Sequence, residues 1–178
     1  MHISKPSKAV DELYKGWLIY SPNVSSERDG PYESYHGNGQ LWQKGTYVAD
    51  ERDGPYESYH GNGQLWQKST YVAGERDGPV EFYHENGQLA EKFTCVAGEI
   101  DGPEEVYYEN GQLERKGTYV DGERDGPYEY YFENGQLELK SNWNMGEACG
   151  EWIMFGSPSS DGEPLTYDPC PPGLADGN

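Results

Sequence analysis

Three histidines, His36, His60 and His84, recur at intervals of 24 residues and are the first candidates for chemistry. Imidazole is a common zinc ligand, so a row of histidines could hold a metal ion. The ligands of one zinc ion, however, must lie within a few ångströms of each other. Tyr108 and Phe132 continue the same position in later copies, which indicates aromatic packing. The sequence therefore predicts no metal site.

Carboxylates are the most abundant candidates, with 32 Asp and Glu against 13 Lys and Arg. General acid–base catalysis needs two carboxyl groups in unlike surroundings within one pocket, whereas these recur evenly along the chain. A calcium loop concentrates several oxygen ligands in one short segment, and each turn here offers one or two. The turn aspartates are Asp29, Asp53, Asp77, Asp101 and Asp125. Nucleophile, zincin and phosphate-loop motifs are also absent from the sequence. We therefore predict a protein that is not an enzyme, needs no cofactor and presents an acidic surface at these aspartates.

The net charge of −19 at neutral pH restricts the partners of this protein. Nucleic-acid phosphates and anionic lipid headgroups would be repelled, so we expect no direct binding to nucleic acid or membranes. No apolar run approaches the roughly 18 residues of a membrane span, and the N-terminus lacks the apolar stretch of a signal peptide. We therefore expect a cytoplasmic location. The three cysteines, Cys95, Cys149 and Cys170, lack metal-binding spacing, and we expect free thiols.

The elements that must position these residues come from a repeat of 24 residues. Five copies follow one another without a gap, at 27–50, 51–74, 75–98, 99–122 and 123–146. We predict cap strands at 1–26 and a closing half-repeat at 147–156. The tail at 157–178 is rich in Pro, Gly and Ser, and we predict that it is disordered or lies along the last strands. The first two copies differ only at Gly45/Ser69 and Asp50/Gly74. Such faithful copying of charges, turns and aromatic residues favours a repeated surface over a single active site.

Each copy contains N-G-Q-L between two short stretches rich in Tyr, Val, Phe and Trp. Asn-Gly is typical of a two-residue type I′ turn, which joins the strands of a hairpin. This turn would place Tyr35 opposite Trp42 and Glu33 opposite Lys44. Opposite charges then face each other in all five copies, which supports the register. The string E-R-D-G-P would connect one hairpin to the next, because Pro cannot donate to a strand ladder.

The predicted fold class is all-β, an extended antiparallel meander of five hairpins in an open single-layer sheet with capping half-units and very little helix. In the predicted register, a tyrosine ladder and a leucine ladder lie on opposite faces. The tyrosines are Tyr35, Tyr59, Tyr83, Tyr107 and Tyr131, and the leucines are Leu41, Leu65, Leu89, Leu113 and Leu137. Packing within the sheet accounts for both ladders. The alternative is that the tyrosines, with Trp42 and Trp66 beside them, form an open aromatic face that binds a protein partner.

The strings Y-Y-E-N-G-Q-L-E-R-K-G-T-Y-V-D-G-E-R-D-G-P and Y-F-E-N-G-Q-L-E-L-K, with their copies, resemble the MORN-like repeat of the YwqK-type antitoxin family. The resemblance extends from Glu27 to about Phe155, with departures at the linker glycine (Asp50) and at a glycine of the second strand. It implies a protein-binding or scaffolding element, and the family name implies a bacterial toxin as the partner. Two alternatives stay open: an acidic decoy that occupies the nucleic-acid site of a partner protein, and a structural or assembly scaffold.

Overall fold

The computed structural model describes residues 28–155 and 165–172, which form sixteen β-strands and no α-helix. Among these described residues, no helix has the length and apolarity that a membrane span needs. The strands are β1 (Gly30–Tyr35), β2 (Leu41–Val48), β3 (Glu51–Arg52), β4 (Gly54–Tyr59), β5 (Leu65–Val72), β6 (Glu75–Arg76), β7 (Gly78–Tyr83), β8 (Leu89–Val96), β9 (Glu99–Ile100), β10 (Gly102–Tyr107), β11 (Leu113–Val120), β12 (Glu123–Arg124), β13 (Gly126–Tyr131), β14 (Leu137–Asn144), β15 (Glu147–Met154) and β16 (Leu165–Thr166).

Twelve of the strands form an antiparallel meander in the order β1-β2-β4-β5-β7-β8-β10-β11-β13-β14-β15-β16. The two-residue strands β3, β6, β9 and β12 each pair with the long strand that precedes them. A bend then separates each short strand from the next long one. At the first such bend, the Asp53 N–H donates to the Thr46 carbonyl at 3.0 Å. The predicted all-β meander of five repeated hairpins is confirmed.

The loop at each N-G-Q-L motif differs from the predicted two-residue turn. The His36 N–H donates to the Gln40 carbonyl at 2.8 Å, which encloses three residues, and Gly39 takes a φ of 86°. Asn38 keeps a negative φ, so the predicted type I′ turn at Asn-Gly is wrong. Its side chain instead accepts from the Gln40 N–H at 3.0 Å and donates to the Gly61 carbonyl of the next loop at 2.8 Å.

A bulge follows this loop in every hairpin. Tyr35 lies opposite Leu41, and Trp42 is the extra residue of the bulge. The predicted pairing of Tyr35 with Trp42 is therefore wrong, as is the prediction that the tyrosine and leucine ladders lie on opposite faces. The three-residue loop shifts the register by one residue and the bulge shifts it back. Glu33 consequently lies opposite Lys44 as predicted.

Type I′ turns do occur, but between the hairpins. Val48 pairs with Glu51, and the two residues between them, Ala49 and Asp50, have φ values of 49° and 68°. The equivalent turns are Ala73–Gly74, Ala97–Gly98, Asp121–Gly122 and Met145–Gly146. Asp tolerates a positive φ better than most residues, and the Asp50 carboxylate accepts from the Arg28 N–H at 2.6 Å. The loss of the linker glycine at Asp50 therefore leaves the turn conformation intact.

The two faces of the sheet differ in burial, because alternate residues of a strand point to opposite sides. The packed face carries Tyr32, Ser34, Gln43, Gly45, Tyr47 and their equivalents in later hairpins. The charged face carries Pro31, Glu33, Tyr35, Lys44, Thr46 and their equivalents. The described buried side chains other than Cys149 lie on the packed face, with Val80 and Tyr128 only 0% and 1% exposed. This face is the core of the protein.

Part of the C-terminal tail folds back on the sheet. Residues 165–172 include β16, which pairs with β15, and a disulfide joins Cys149 to Cys170. Residues 165–172 therefore lie along the last strands, which is the second of the two arrangements predicted for the tail. The prediction of free thiols is wrong for Cys149 and Cys170, because the returning chain brings these two cysteines, 21 positions apart, to a Cα separation of 4.9 Å. Cys95 is a free, buried thiol. The predicted cap strands at 1–26 and the remainder of the tail lie outside the described residues.

Candidate partner-binding site

The tyrosine ladder lies on the charged face, and its phenols are bonded within the hairpins. Each hydroxyl donates to the glutamate two residues earlier, as Tyr83 does to Glu81 at 2.8 Å and Tyr131 to Glu129 at 2.5 Å. The same contact recurs at Tyr35, Tyr59 and Tyr107. Burial, followed by the hydrogen bond to Glu81, raises the pKa of Tyr83 to about 12. These tyrosines are therefore part of the fold before any partner binds.

A row of alternating glutamates and lysines crosses the charged face from strand to strand. Its members are Glu33, Lys44, Glu57, Lys68, Glu81, Lys92, Glu105, Lys116, Glu129 and Lys140. The salt bridges join neighbouring hairpins, as between Lys44 Nζ and Glu57 Oε2 at 2.8 Å. The hydrogen bond from Lys44 lowers the pKa of Glu57. The row holds the hairpins together and is electrically balanced along its length.

Trp42 and Trp66 lie on the side of the sheet opposite the tyrosine ladder. The Trp66 ring is 6.0 Å from Phe82, a residue of the packed face. The two tryptophans are 42% and 43% exposed. Each has a histidine beside it, with ring centroids 6.1 Å apart for His36 and Trp42 and 6.3 Å for His60 and Trp66. We call these four residues the tryptophan surface. The structure thus separates the tryptophans from the tyrosines with which the sequence grouped them.

The histidines connect successive hairpins. The Nε2 atoms of His36, His60 and His84 lie 2.8–2.9 Å from the backbone carbonyls of Tyr59, Tyr83 and Tyr107. A carbonyl can only accept, so Nε2 carries the hydrogen and donates. In the residues that the structure describes, no group of three or more His, Cys, Asp or Glu side chains could hold a metal ion. The histidine bonds therefore fix the loop ends of the hairpins, where the tryptophans lie.

The predicted acidic surface lies at the bends between hairpins. Asp29 and Asp77 are exposed, whereas Asp53, Asp101 and Asp125 are half-buried. The carboxylates of Asp53 and Asp125 accept from the backbone N–H groups of Ala73 and Met145 at 3.3 Å. Asp53 and Asp125 therefore stabilise the turn at the end of their own repeat copy. The five aspartates lie at the bends between hairpins, at the strand ends opposite the tyrosine ladder.

A buried acidic cluster on the packed face was missed by the sequence reasoning. Glu104 is 3% exposed and accepts from the Tyr128 hydroxyl at 2.5 Å, and Arg115 Nε lies 3.5 Å from the same carboxylate. Arg115 also lies 3.7 Å from Glu91. Burial and the neighbouring Glu104 raise the pKa of Glu91. The sequence did contain a sign of this cluster, because the first two copies carry uncharged residues at these positions, Gln in place of Glu91 and Tyr in place of Glu104.

Five segments of the chain match the family described as MORN repeat variant, at residues 28–49, 52–73, 76–94, 100–121 and 124–145. Together these segments cover more than half of the sequence. The protein belongs to the MORN repeat variant family. The match confirms the resemblance to MORN-like repeats, and the YwqK-type antitoxin subtype stays a prediction. A search of curated proteins finds no significant match.

Several solved structures are similar to part of this chain. A TarM mutant from S. aureus, in complex with fondaparinux, alpha-GlcNAc-glycerol and UDP, is 12% identical with a TM-score of 0.27, over 57% of this chain and 18% of its own. A GtfA/B complex bound to UDP and GlcNAc is 14% identical with a TM-score of 0.25, over 56% of this chain and 19% of its own. TarM is 11% identical with a TM-score of 0.20, over 83% of this chain and 21% of its own. This chain spans about a fifth of the length of each. Similarities at this level carry no argument about function.

Proposed function

We propose that this MORN repeat protein is a non-enzymatic protein-binding module whose partner docks on the tryptophan surface. The observation that carries the proposal is the exposure of Trp42 and Trp66, at 42% and 43%, in equivalent positions of neighbouring hairpins. Tryptophan is among the residues most enriched at binding hot spots. Single exposed apolar residues are common on protein surfaces. Two indoles repeated with the same histidine neighbour instead form a patch of defined geometry.

The hairpin loops beside this patch are held in place before a partner binds. Asn38 Nδ2 donates to the Gly61 carbonyl and Asn62 Nδ2 to the Glu85 carbonyl, both at 2.8 Å. The histidine side chains add a second bond from each hairpin to the next. A surface that is already ordered loses little conformational entropy on binding. Little of the free energy gained from contacts with the tryptophan surface is therefore lost in ordering that surface.

The charged face is the less suitable docking surface. Lysine and glutamate are depleted in interface cores, and here their charges are balanced between hairpins by salt bridges such as Lys92–Glu105 at 2.8 Å. A balanced row also does not imitate the uniform negative charge of nucleic-acid phosphates, which weakens the decoy alternative on this face. The repeats resemble those of the YwqK-type antitoxin family, and this resemblance supports the more specific proposal that the protein partner is a bacterial toxin.

A capture experiment tests the proposal. The parent and the Trp42→Ala/Trp66→Ala variant are used to isolate partners from the source cells, and the affinity of a captured partner is then measured with purified proteins. The matched control is Tyr35→Phe/Tyr59→Phe, which removes two hydroxyls from the charged face. We expect the tryptophan variant to lose ~2 kcal/mol, or about thirtyfold in Kd, and the control to bind like the parent. A folded tryptophan variant that binds every partner as well as the parent would refute the proposal.

A further inference from the structure

The geometry points to the chemistry of the partner: we propose that the tryptophan surface binds a proline-rich segment that also carries basic residues, as a polyproline II helix running across the strands. This inference rests on the proposed function, because it specifies the partner of the same surface. It draws on one additional feature, the row formed by the extra residue of each bulge. We call this the bulge row. It consists of Trp42, Trp66, Ala90, Glu114 and Glu138.

The spacing of the bulge row matches a polyproline II helix. Equivalent residues of successive hairpins are two strands apart, which is ~9.5 Å. A polyproline II helix advances ~3.1 Å per residue with three residues per turn, or ~9.3 Å per turn. Every third ligand residue therefore faces the next member of the row. An α-helix, with a pitch of ~5.4 Å, and an extended strand, with a side-chain repeat of ~6.7 Å, would lose this phase after one step.

The first two members of the row suit proline. Proline-rich segments dock against aromatic side chains and are already extended, so they lose little entropy on binding. Trp42 and Trp66 each present an indole with an imidazole about 6 Å away, at 6.1 Å from His36 and 6.3 Å from His60. Two prolines three residues apart would each meet one such aromatic pair. The near-equal ring distances show that the two pairs are related by the hairpin repeat.

The far end of the row suits basic residues. Beyond Ala90, the bulge row presents Glu114 and Glu138, the latter exposed. Burial raises the pKa of the Tyr108 phenol, and the charges of these two glutamates raise it further, so both lie close to this side chain. Arg115 lies 3.8 Å from Glu114, so Glu138 is the less neutralised of the two. A lysine or arginine about twelve residues from the first proline would reach Glu138, and the net charge of −19 favours such a ligand over an acidic one.

Synthetic peptides test this inference directly. The probe is a peptide of ~13 residues with two prolines three apart at one end and two basic residues, three apart, at the other. Three matched peptides replace both prolines by alanine, move the prolines to four apart, or replace the basic residues by glutamine. Binding is measured by tryptophan fluorescence and by calorimetry. Both sequence directions are made, because the spacing argument holds for either.

We expect the probe to bind the parent protein about tenfold more tightly than the alanine or respaced peptides. Trp42→Ala/Trp66→Ala should abolish this preference. Glu138→Gln should weaken the probe severalfold and reduce its salt dependence, while leaving the glutamine peptide unchanged. The control Tyr35→Phe should behave like the parent.

Equal binding of the probe and the alanine or respaced peptides, in both directions, would overturn the inference. If the cellular partner still depends on Trp42 and Trp66, that result leaves the proposed function standing and places a different partner structure, such as a folded surface, on the tryptophans. If neither peptide nor cellular partner depends on the tryptophans, both proposals are wrong.

Discussion

The replacement of Gly117 by alanine tests how tightly the packed face is assembled. A methyl group at this position of β11 would lie 2.0 Å from Cδ2 and 2.2 Å from Cε2 of Tyr128. Carbon atoms in contact prefer separations of ~3.5–4.0 Å, so the tyrosine ring would have to move by more than 1 Å. The ring has no space for this movement, because Tyr128 is 1% exposed and its hydroxyl is bonded to Glu104.

The loss of folding stability depends on how the clash between the added methyl group and Tyr128 is relieved. Overpacking a core costs ~1–3 kcal/mol, and losing the packing of a buried aromatic ring costs ~3–5 kcal/mol. The guanidinium of Arg124, 4.5 Å from the centre of the Tyr128 ring, would lose its contact if the ring moved. We therefore expect Gly117→Ala to destabilise by ~3 kcal/mol, or ~6–12 °C in Tm for a protein of this size.

Gly45→Ala is the matched control, since Gly45 is the equivalent residue of the first hairpin. There the added methyl would lie 3.0 Å from Tyr32 Cε1, and a shift of a few tenths of an ångström would relieve the contact. Removing a glycine also restricts the unfolded chain, by ~0.4–1 kcal/mol, so we expect a net change within ~1 kcal/mol.

The assay is unfolding in urea with thermal melting as a second measurement. A third variant, Gly117→Ala with Tyr128→Val, should be less destabilised than the sum of its two single changes, because valine fits the equivalent site at Val80. Equal effects of the alanine changes at Gly117 and Gly45, or strict additivity in the double variant, would refute this account of the packed face.

Three further predictions concern other parts of the molecule. Tyr71→Ala, at a residue 7% exposed, should cost ~3 kcal/mol or more in urea unfolding, and Tyr83→Ala, half-buried on the charged face, roughly half of that. Glu91→Gln should stabilise the protein at neutral pH, because burial raises the pKa of Glu91 in the folded state. Its stabilising effect should fade as the pH falls through that raised pKa and vanish below the ordinary glutamate pKa of ~4.3, where both states are protonated. Cys170→Ser should release the tail from β15, expose Trp152 and shift its fluorescence to longer wavelengths, because Trp152 packs 4.9 Å from Tyr167.

Each of these predictions has a result that contradicts it. For the tyrosines it is an equal loss of stability at both sites, which would mean that the two faces are packed alike. For Glu91 it is a stabilisation by glutamine that is the same at neutral and at acid pH. For the disulfide it is an unchanged emission spectrum in Cys170→Ser, measured beside Cys95→Ser as the control that leaves the tail attached.

The repeat itself carried most of the information about the fold. The 24-residue period, the strand-forming stretches and the turn residues were sufficient to predict five hairpins in one antiparallel sheet. The pairing of Glu33 with Lys44 was also predictable, although the turn that supported it was assigned wrongly. That pairing held because the offset of the three-residue loop and the offset of the bulge cancel. The assignment of Trp42 and Trp66 to a partner-binding surface stays a prediction, and the sequence grouped them with the tyrosines from which the structure separates them.

The tertiary structure alone decided which side of the sheet each aromatic residue occupies and which side is the core. Two tyrosine rows, at Tyr35 and at Tyr47, alternate with the same period, so periodicity cannot tell which row is buried. Burial depends on contacts across strands, such as the guanidinium of Arg28 stacked 4.1 Å from the centre of the Tyr47 ring. The side occupied by Trp42 depends on a bulge, which breaks the alternation from which a sequence argument would place it. The disulfide of the tail likewise depends on a chain reversal that local sequence does not encode, because only the folded sheet provides the strand against which the tail returns.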